Sequence, residues 1–517
     1  MSTRRIYLEF DGLVHSAQSW LATQCIPDTG YRCSTVRERL GQRIVELGLV
    51  PFTRVSQTSH ARNGETALQP ESTDCGAVRI DASTGRTTLA PRHLPGLLLE
   101  FFAYWGLGLA AVAKSFFSKS ALARIPTTLL FGVGKEGLFH RGSDARFVAY
   151  CRQGPVRPLS AASQLLVQSA ARKGAVSDAR VMYARWPLLA LAQGYPPSGR
   201  ERLTLLACHL LAPGRFLVLV LRYPLLALLA PDLALGTLAR ALHRQHAIEA
   251  IVVTNSAYTS QPLWMREFGE ETDALHMVWY SQNTVPLVCA RDPVAYDLPH
   301  TRHIRVSHHW VWTEGYKAYL ERLVRGASLH VVGPILWYQP ELKPRPDDAL
   351  QIAVFDVTPL SDESARQLGL VDNYYSAAHM QAFVRGVASL KAAVERALTR
   401  PVRILLKHKR HYGAMHDRAY VELIASVSAP EDGFTLVPFD DNMYSMISSS
   451  ALAVVVPYSS PAYVAAYLGV PAIFFDPTRL LAPTCDPAPL LDFASGEEAL
   501  VTKALLAIEN DLYAMGR

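Results

Sequence analysis

The chain of 517 residues has little charge: 19% of it is Asp, Glu, Lys or Arg, against 50% hydrophobic residues. So apolar a composition excludes a disordered chain and leaves enough material for two or three domains with full cores. Net charge is also small, +6 on the whole chain. No basic stripe with interleaved aromatics marks a nucleic-acid module, so no nucleic-acid partner is expected. Cysteines are few and scattered (Cys25, Cys33, Cys75, Cys151, Cys208, Cys289 and Cys485), odd in number and never spaced Cys-x-x-Cys. That excludes a disulfide framework or a zinc ribbon and fits a reducing compartment. No apolar stretch follows Met1-Ser2-Thr3-Arg4-Arg5, so no secretory signal is expected and the cytoplasm is the expected location. A Gly-x-Ser-x-Gly elbow, a Walker lysine and a His-Glu-x-x-His pair are absent too, which removes the hydrolase, P-loop and zincin readings.

Uninterrupted hydrophobic runs are short. Leu97 to Phe117 is apolar, but Glu100 and Lys114 leave 13 uncharged residues between them. Leu203 to Leu235 is cut by Arg215, Arg222, Pro213, Pro224 and Pro231. A span needs about 20 residues with few charges. The first stretch therefore predicts a buried or interfacial helix, and the second a helix and a strand of the core with basic side chains near lipid headgroups, rather than spans.

What the chain does have is alternation of short apolar strands with helical segments, the pattern of a parallel α/β sheet. Strands are predicted at Ile6–Phe10, Thr127–Phe131, Ala250–Val253, His276–Tyr280, Ile304–Val306 and Leu329–Val332. Prolines 334, 340, 344 and 346 mark a linker over residues 334–348. A second series follows: strands at Ile352–Phe355, Arg403–Leu406, Phe434–Val437, Leu452–Val456 and Pro471–Phe475, with helices between them. The expected domains are thus 1–333, the linker 334–348, and 349–517. The last helix, from Glu497, is expected to fold back onto the first domain.

The most informative stretch is residues 451–478. An apolar run of Leu452 to Val456 stops at Pro457, Tyr458-Ser459-Ser460 form a turn, and Pro461 opens a helix capped by Ser460. Two hydroxyls then stand at the carboxyl end of a buried strand beside a helix N-terminus, where phosphates bind in open α/β sheets. Lys407-His408-Lys409-Arg410-His411 ends another strand of the same sheet. Its cations suit a departing phosphate, with His408 as general acid or hydrogen-bond donor. Asp356 and Thr358 point at the same cleft. Pro438 and Asp476 are placed to meet a nucleotide, although Asp476 equally suits a turn cap and Asp441 a helix cap.

Val456-Pro457-Tyr458-Ser459-Ser460-Pro461-Ala462, then Gly469-Val470-Pro471-Ala472 and Phe475-Asp476-Pro477, resemble bacterial polysaccharide-biosynthesis proteins named for a Pro-Phe-Thr-Ser motif, here Pro-Tyr-Ser-Ser. Trp279-Tyr280-Ser281-Gln282-Asn283 and Val332-Gly333-Pro334 resemble the same family. The βαβ unit resembles the donor half of GT-B glycosyltransferases, and the serine pair resembles sialyltransferase-like enzymes, with Lys409 where their His-Pro motif has proline. The resemblance implies two Rossmann-like domains facing across a cleft, and transfer from a CMP-, UDP- or GDP-sugar to a cell-surface polysaccharide or lipid-linked glycan.

In that setting Lys407, Lys409, Arg410, Ser459 and Ser460 are expected on the donor phosphate, and Asp356, Thr358, Pro438 and Asp476 on the nucleotide. Gly132 and Gly134 lie in a Gly-x-Gly-x-x-Gly loop that lacks the helix of a dinucleotide site. With Ser281 and Asn283 they are expected on the acceptor side. The base that takes the acceptor proton is expected from the first domain: Glu270, Glu271 and Asp273 in a loop before a strand, His308 and His309 at a strand end, or Asp11 at the end of the first strand, with Glu271 and His308 preferred. Without an Asp-x-Asp motif neither a metal nor a cofactor is expected, and the location becomes the cytoplasmic face of the inner membrane. Two other readings stay open: a nucleotide-sugar epimerase of the same fold, and a non-catalytic membrane-associated assembly protein.

Overall fold

Helical spacing, not strand alternation, governs the start of the chain. The computed structural model describes residues 3–63, 72–117, 126–132, 164–168, 181–194, 198–254, 261–281, 290, 301–335, 342–367, 374–409, 412–428, 434–439, 441–483 and 488–514. Helices α1 (Thr3–Thr23) and α2 (Cys33–Asn63) come first. The strand expected at Ile6–Phe10 therefore does not form. Phe10, Val14, Ala17 and Leu21 recur at steps of three and four and are all buried, which fixes a helix. Asp11 lies inside it and pairs with Arg302 at 2.7 Å. An antiparallel three-stranded sheet follows, β1 (Ser72–Cys75), β2 (Val78–Asp81) and β3 (Thr87–Leu89), then α3 (Leu94–Ser115).

The first parallel sheet comprises β4 (Thr127–Phe131), β5 (Gln164–Gln168), β6 (Val181–Ala184), β7 (Ile248–Thr254), β8 (Leu275–Val278), β9 (His308–Val311) and β10 (Ser328–Val331). Its helices are α4 (Pro187–Gly194), α5 (Gly199–Arg222), α6 (Ala230–Arg244), α7 (Leu263–Thr272) and α8 (Glu314–Glu321). The strand order is β10-β9-β8-β7-β4-β5-β6, parallel at every described pairing. The order reverses between β4 and β7, the place where such sheets open a crevice at their carboxyl ends. Helix α5 runs through Pro213, where the sequence predicts a break. The strand expected at Ile304–Val306 is displaced to His308–Val311, where His308 pairs in register with His276 of β8.

The second sheet comprises β11 (Leu350–Phe355), β12 (Val402–Lys407), β13 (Phe434–Val437), β14 (Leu452–Val455), β15 (Ala472–Asp476) and β16 (Leu491–Ser495). With it go α9 (Asp362–Gln367), α10 (Ala377–Leu398), α11 (Arg418–Val427), α12 (Met443–Ser448), α13 (Ser460–Tyr467) and α14 (Glu497–Ala514). Its order, β13-β12-β11-β14-β15-β16, is parallel throughout and reverses between β11 and β14. Alternation along the strands sorts the two faces. Ile352, Val354 and Val454 pack with α10, α11 and α14. Ala353, Phe355 and Val455 join a cluster with α12 and α13 that also holds Leu130, Val252 and Val278 of the first sheet. One apolar cluster thus contains residues of both sheets. The last helix stays on its own sheet: Leu500, Ala504 and Ile508 are buried there and do not reach back to the first domain. Its Asp511 instead holds Arg345 of the Pro-rich stretch.

Candidate active site

At the reversal point of the second sheet, β14 passes into α13 through Pro457-Tyr458-Ser459. Tyr458 sits at φ +62°, a left-handed conformation that costs a bulky side chain energy. Its surroundings hold it there: the ring is buried, its hydroxyl donates to the Ala482 carbonyl, and Tyr375 donates to the Pro457 carbonyl at 3.0 Å. The turn ends with Ser459 as N-cap and Ser460 as first helical residue, one position earlier than the spacing around Pro461 predicts. The Ser459 hydroxyl makes no capping bond. The first-turn amides of α13 therefore face the cleft without a side-chain cap, the arrangement that favours an anion.

Strand register brings the other expected residues to the same edge. Phe355 lies opposite both Lys407 and Val455, so Asp356, His408 and Val456 begin neighbouring loops. Asp356 is buried and accepts a hydrogen bond from Tyr420. Burial raises its pKa to about 6, against the opposing pull of the Tyr420 hydrogen bond and of Lys409. Thr358 carries a buried Oγ1 that has no hydrogen-bond partner, which is unusual unless a ligand completes it. The His408 ring lies 4.9 Å from Tyr412 and 6.4 Å from Phe439. Lys409 is exposed beside Asp356.

Three expected residues are engaged differently. Lys407 is buried, and its ammonium donates to the carbonyls of Pro438, at 2.7 Å, and Phe439, so it ties down the loop after β13 instead of facing a phosphate. Pro438 contributes that carbonyl. Asp476 is fully buried and accepts from the Tyr374 hydroxyl at 2.7 Å, both the amide and hydroxyl of Thr478, and the Leu481 amide. It caps the turn that follows β15. The helix cap expected at Asp441 is made by Asn442, which accepts from the Tyr444 and Ser445 amides.

From the first sheet, Gly132 ends β4 at φ +76° and accepts from Thr254 at the end of β7 at 2.6 Å, directly at the order reversal. Ser281 follows β8, and its Oγ lies 3.0 Å from Oγ of Ser460. Two strand-end hydroxyls from different sheets therefore meet. Beside β4 and β5 is a cavity of about 300 Å³ lined by Phe131, Gln168, Glu100, Tyr104 and Trp186 among others. Glu271 and His308 do not join the site. Glu271 is near the end of α7 rather than in a loop, paired with His243 at 3.0 Å. His308 opens β9 instead of ending a strand, and lies 3.1 Å from His330. Both occupy the amino-terminal edge of the sheet, opposite Ser281. Gly134, Asn283 and Arg410 lie outside the described residues.

Sequence reasoning passed over a shell of tyrosines. Tyr374, Tyr375, Tyr420 and Tyr458 each spend a hydroxyl on the Asp476, Pro457, Asp356 and Ala482 acceptors around the serine turn. The adjacent pair Tyr374-Tyr375 just before the α10 cap was the available signal.

No curated protein matches the sequence. Among solved structures, TarM of S. aureus matches with 10% identity and a TM-score of 0.33, covering 55% of this chain and 52% of TarM. This chain thus spans about half the length of TarM. A Listeria monocytogenes protein described as a putative UDP-N-acetylglucosamine 2-epimerase matches at 12% identity and TM-score 0.36, covering 75% and 88%. HepE of Anabaena, solved with UDP and glucose, matches at 11% and 0.36, covering 74% and 90%. The family model for polysaccharide biosynthesis PFTS motif proteins matches residues 215–503, which include β7 to β16 and the serine turn. The chain belongs to the polysaccharide biosynthesis PFTS motif family.

Proposed function

We propose that this protein is a GT-B-type glycosyltransferase that moves a sugar from a nucleotide-activated donor to a growing polysaccharide or lipid-linked glycan, without a metal, at the cytoplasmic face of the inner membrane. The observation that carries the reading is the 3.0 Å approach of Ser281 to Ser460. It joins the carboxyl edge of one parallel sheet to the strained serine turn of the other, as a two-substrate cleft requires. The donor phosphate rests on Ser459, Ser460 and the amides of α13, with Lys409 and Arg410 supplying positive charge as the sugar bond breaks. His408 donates a hydrogen bond or proton to the departing phosphate. Asp356 and Thr358 meet the nucleotide, and Lys407 holds the Pro438 loop in place. Gly132, Ser281 and the cavity beside Gln168 form the acceptor side.

The test is transfer of isotopic label from CMP-, UDP- and GDP-sugars to a bacterial lipid or polysaccharide fraction. One donor is expected to label the acceptor and release its nucleotide, with Ser460→Ala slower by about a hundredfold, the scale for one lost donor at a developing anion. Isomerised nucleotide sugar with no labelled acceptor would instead establish the epimerase reading.

A further inference from the structure

We propose that the outer faces of α3 and α5 together form a docking surface for an anionic lipid bilayer, with both helices lying in the plane of its interface. This deepens the membrane side of the reading above, and it rests on no residue of the donor turn.

The two helices are antiparallel neighbours. Phe101 stacks on Phe216 with ring centroids 3.8 Å apart, and the Trp105 indole donates to the His209 carbonyl at 2.9 Å. Gly108 makes the approach possible, since a Cβ there would lie 2.6 Å from the His209 ring. These contacts, with α6 behind them, use up the inner faces. The outer faces carry Leu99 (71% exposed) and Leu107 on α3, and Leu203, Leu211 (73%) and Leu221 (84%) on α5. Phe117, just past the end of α3, is 89% exposed. Soluble monomers rarely leave an apolar surface of this extent in water.

Both helices are long and apolar enough to cross a membrane, yet only 22% and 33% of their apolar windows are buried within the protein. Spanning is disfavoured by what lies behind them. Helix α6 packs against both and carries buried Asp232, paired with Arg39, which a crossing would draw into hydrocarbon. In-plane docking wets only the ends, and the charges suit that arrangement. Antiparallel pairing puts Arg92 and Arg222 at one end of the strip and Lys114 and Arg200 at the other, all exposed. The two acids are turned to other work: Glu201 closes a capping box with Ser198, and Glu100 lines the cavity beneath α3. Arg215, exposed midway along α5, reaches sideways to Gly30 and Tyr31. An apolar strip with cations at both ends and this one on its flank is complementary to acyl chains under anionic headgroups. The same cavity reaches the ends of β4 and β5, so docking would bring the acceptor side of the cleft to the membrane.

The experiment is flotation of the full chain with phosphatidylcholine vesicles, with and without phosphatidylglycerol. Wild type is expected to float with the phosphatidylglycerol vesicles and to be released by high salt. Leu99→Glu with Leu211→Glu should bind about tenfold more weakly for each leucine lost from the lipid. Leu506→Glu, at an exposed position of α14, should float like wild type. Both variants change exposed side chains, so an unchanged melting temperature certifies the fold. Wild type that stays with the soluble fraction, or a double variant that floats unchanged, overturns the proposal. Self-association abolished by the same pair without any flotation would assign the face to a second copy, and also overturns it. Neither result involves a nucleotide, so failure here leaves the donor reading standing, and the converse holds.

Discussion

At the scale of single residues, the serine turn is a strained conformation kept in place by tyrosine hydroxyls. Ser459 and Ser460 were legible because a Pro-bounded hydroxyl turn after a buried strand has few other placements. Their supports were not: Tyr420 reaches Asp356 across 64 residues of sequence, and such contacts leave no local pattern. Lys407 and Asp476 show the same limit, since residue type and strand-end position did not reveal that Lys407 holds the Pro438 and Phe439 carbonyls and that Asp476 holds the Thr478 turn and Tyr374. Asp356 supplies a prediction of its own. Its folded pKa, about 6, lies above the ordinary carboxylate value because burial penalises the charged form. Its contribution to stability is therefore complete at pH below the ordinary value and is lost as pH rises through about 6. Asp356→Asn should escape that loss, so its stability relative to wild type should climb between pH 4 and pH 7. The climb should be roughly 1.4 kcal/mol for each pH unit that separates the folded pKa from the ordinary one. Paired denaturant titrations across that range would show it, and a flat difference would contradict the assignment.

At the scale of elements, the βαβ alternation from β7 onward was legible because each strand is a short aliphatic run ended by polar residues. Where alternation was ambiguous the reading slipped. Displacing β9 by a few residues carried His308 from the carboxyl edge to the amino edge, and this alone removed it from the cleft. Ile6–Phe10 was too short to distinguish strand from helix until Val14, Ala17 and Leu21 extended its period. Close helix–sheet approach was also silent in sequence. Helix α10 meets β15 at Gly386, where a Cβ would lie 2.5 Å from the Phe475 ring. Gly386→Val should destabilise this domain by about 1–3 kcal/mol through overpacking. A urea midpoint that falls with unchanged slope would bear this out, and an unchanged midpoint would show that β15 yields to α10.

At the scale of the whole molecule, the two parallel sheets share one apolar cluster, and Ser281 beyond β8 meets Ser460 at the reversal point of the second. The two parallel sheets were legible in strand alternation on either side of the Pro-rich stretch, whereas their facing across a cleft was implied by the resemblance. The helical layer of α1 and α2 was not legible, because its apolar faces are satisfied by partners distant in sequence, among them β1–β3, residues 225–229, α6 and Leu263 of α7. The central claim is that the serine turn at the β11/β14 reversal holds a nucleotide-linked phosphate. A thermal-shift panel of CMP, CDP, UDP, GDP and dTDP tests it on wild type and on Ser459→Ala with Ser460→Ala. One nucleotide should stabilise wild type, by about 2.7 kcal/mol at a hundred times its dissociation constant, and should leave the double variant unmoved. No shift with any nucleotide, or an equal shift in both proteins, would contradict the account.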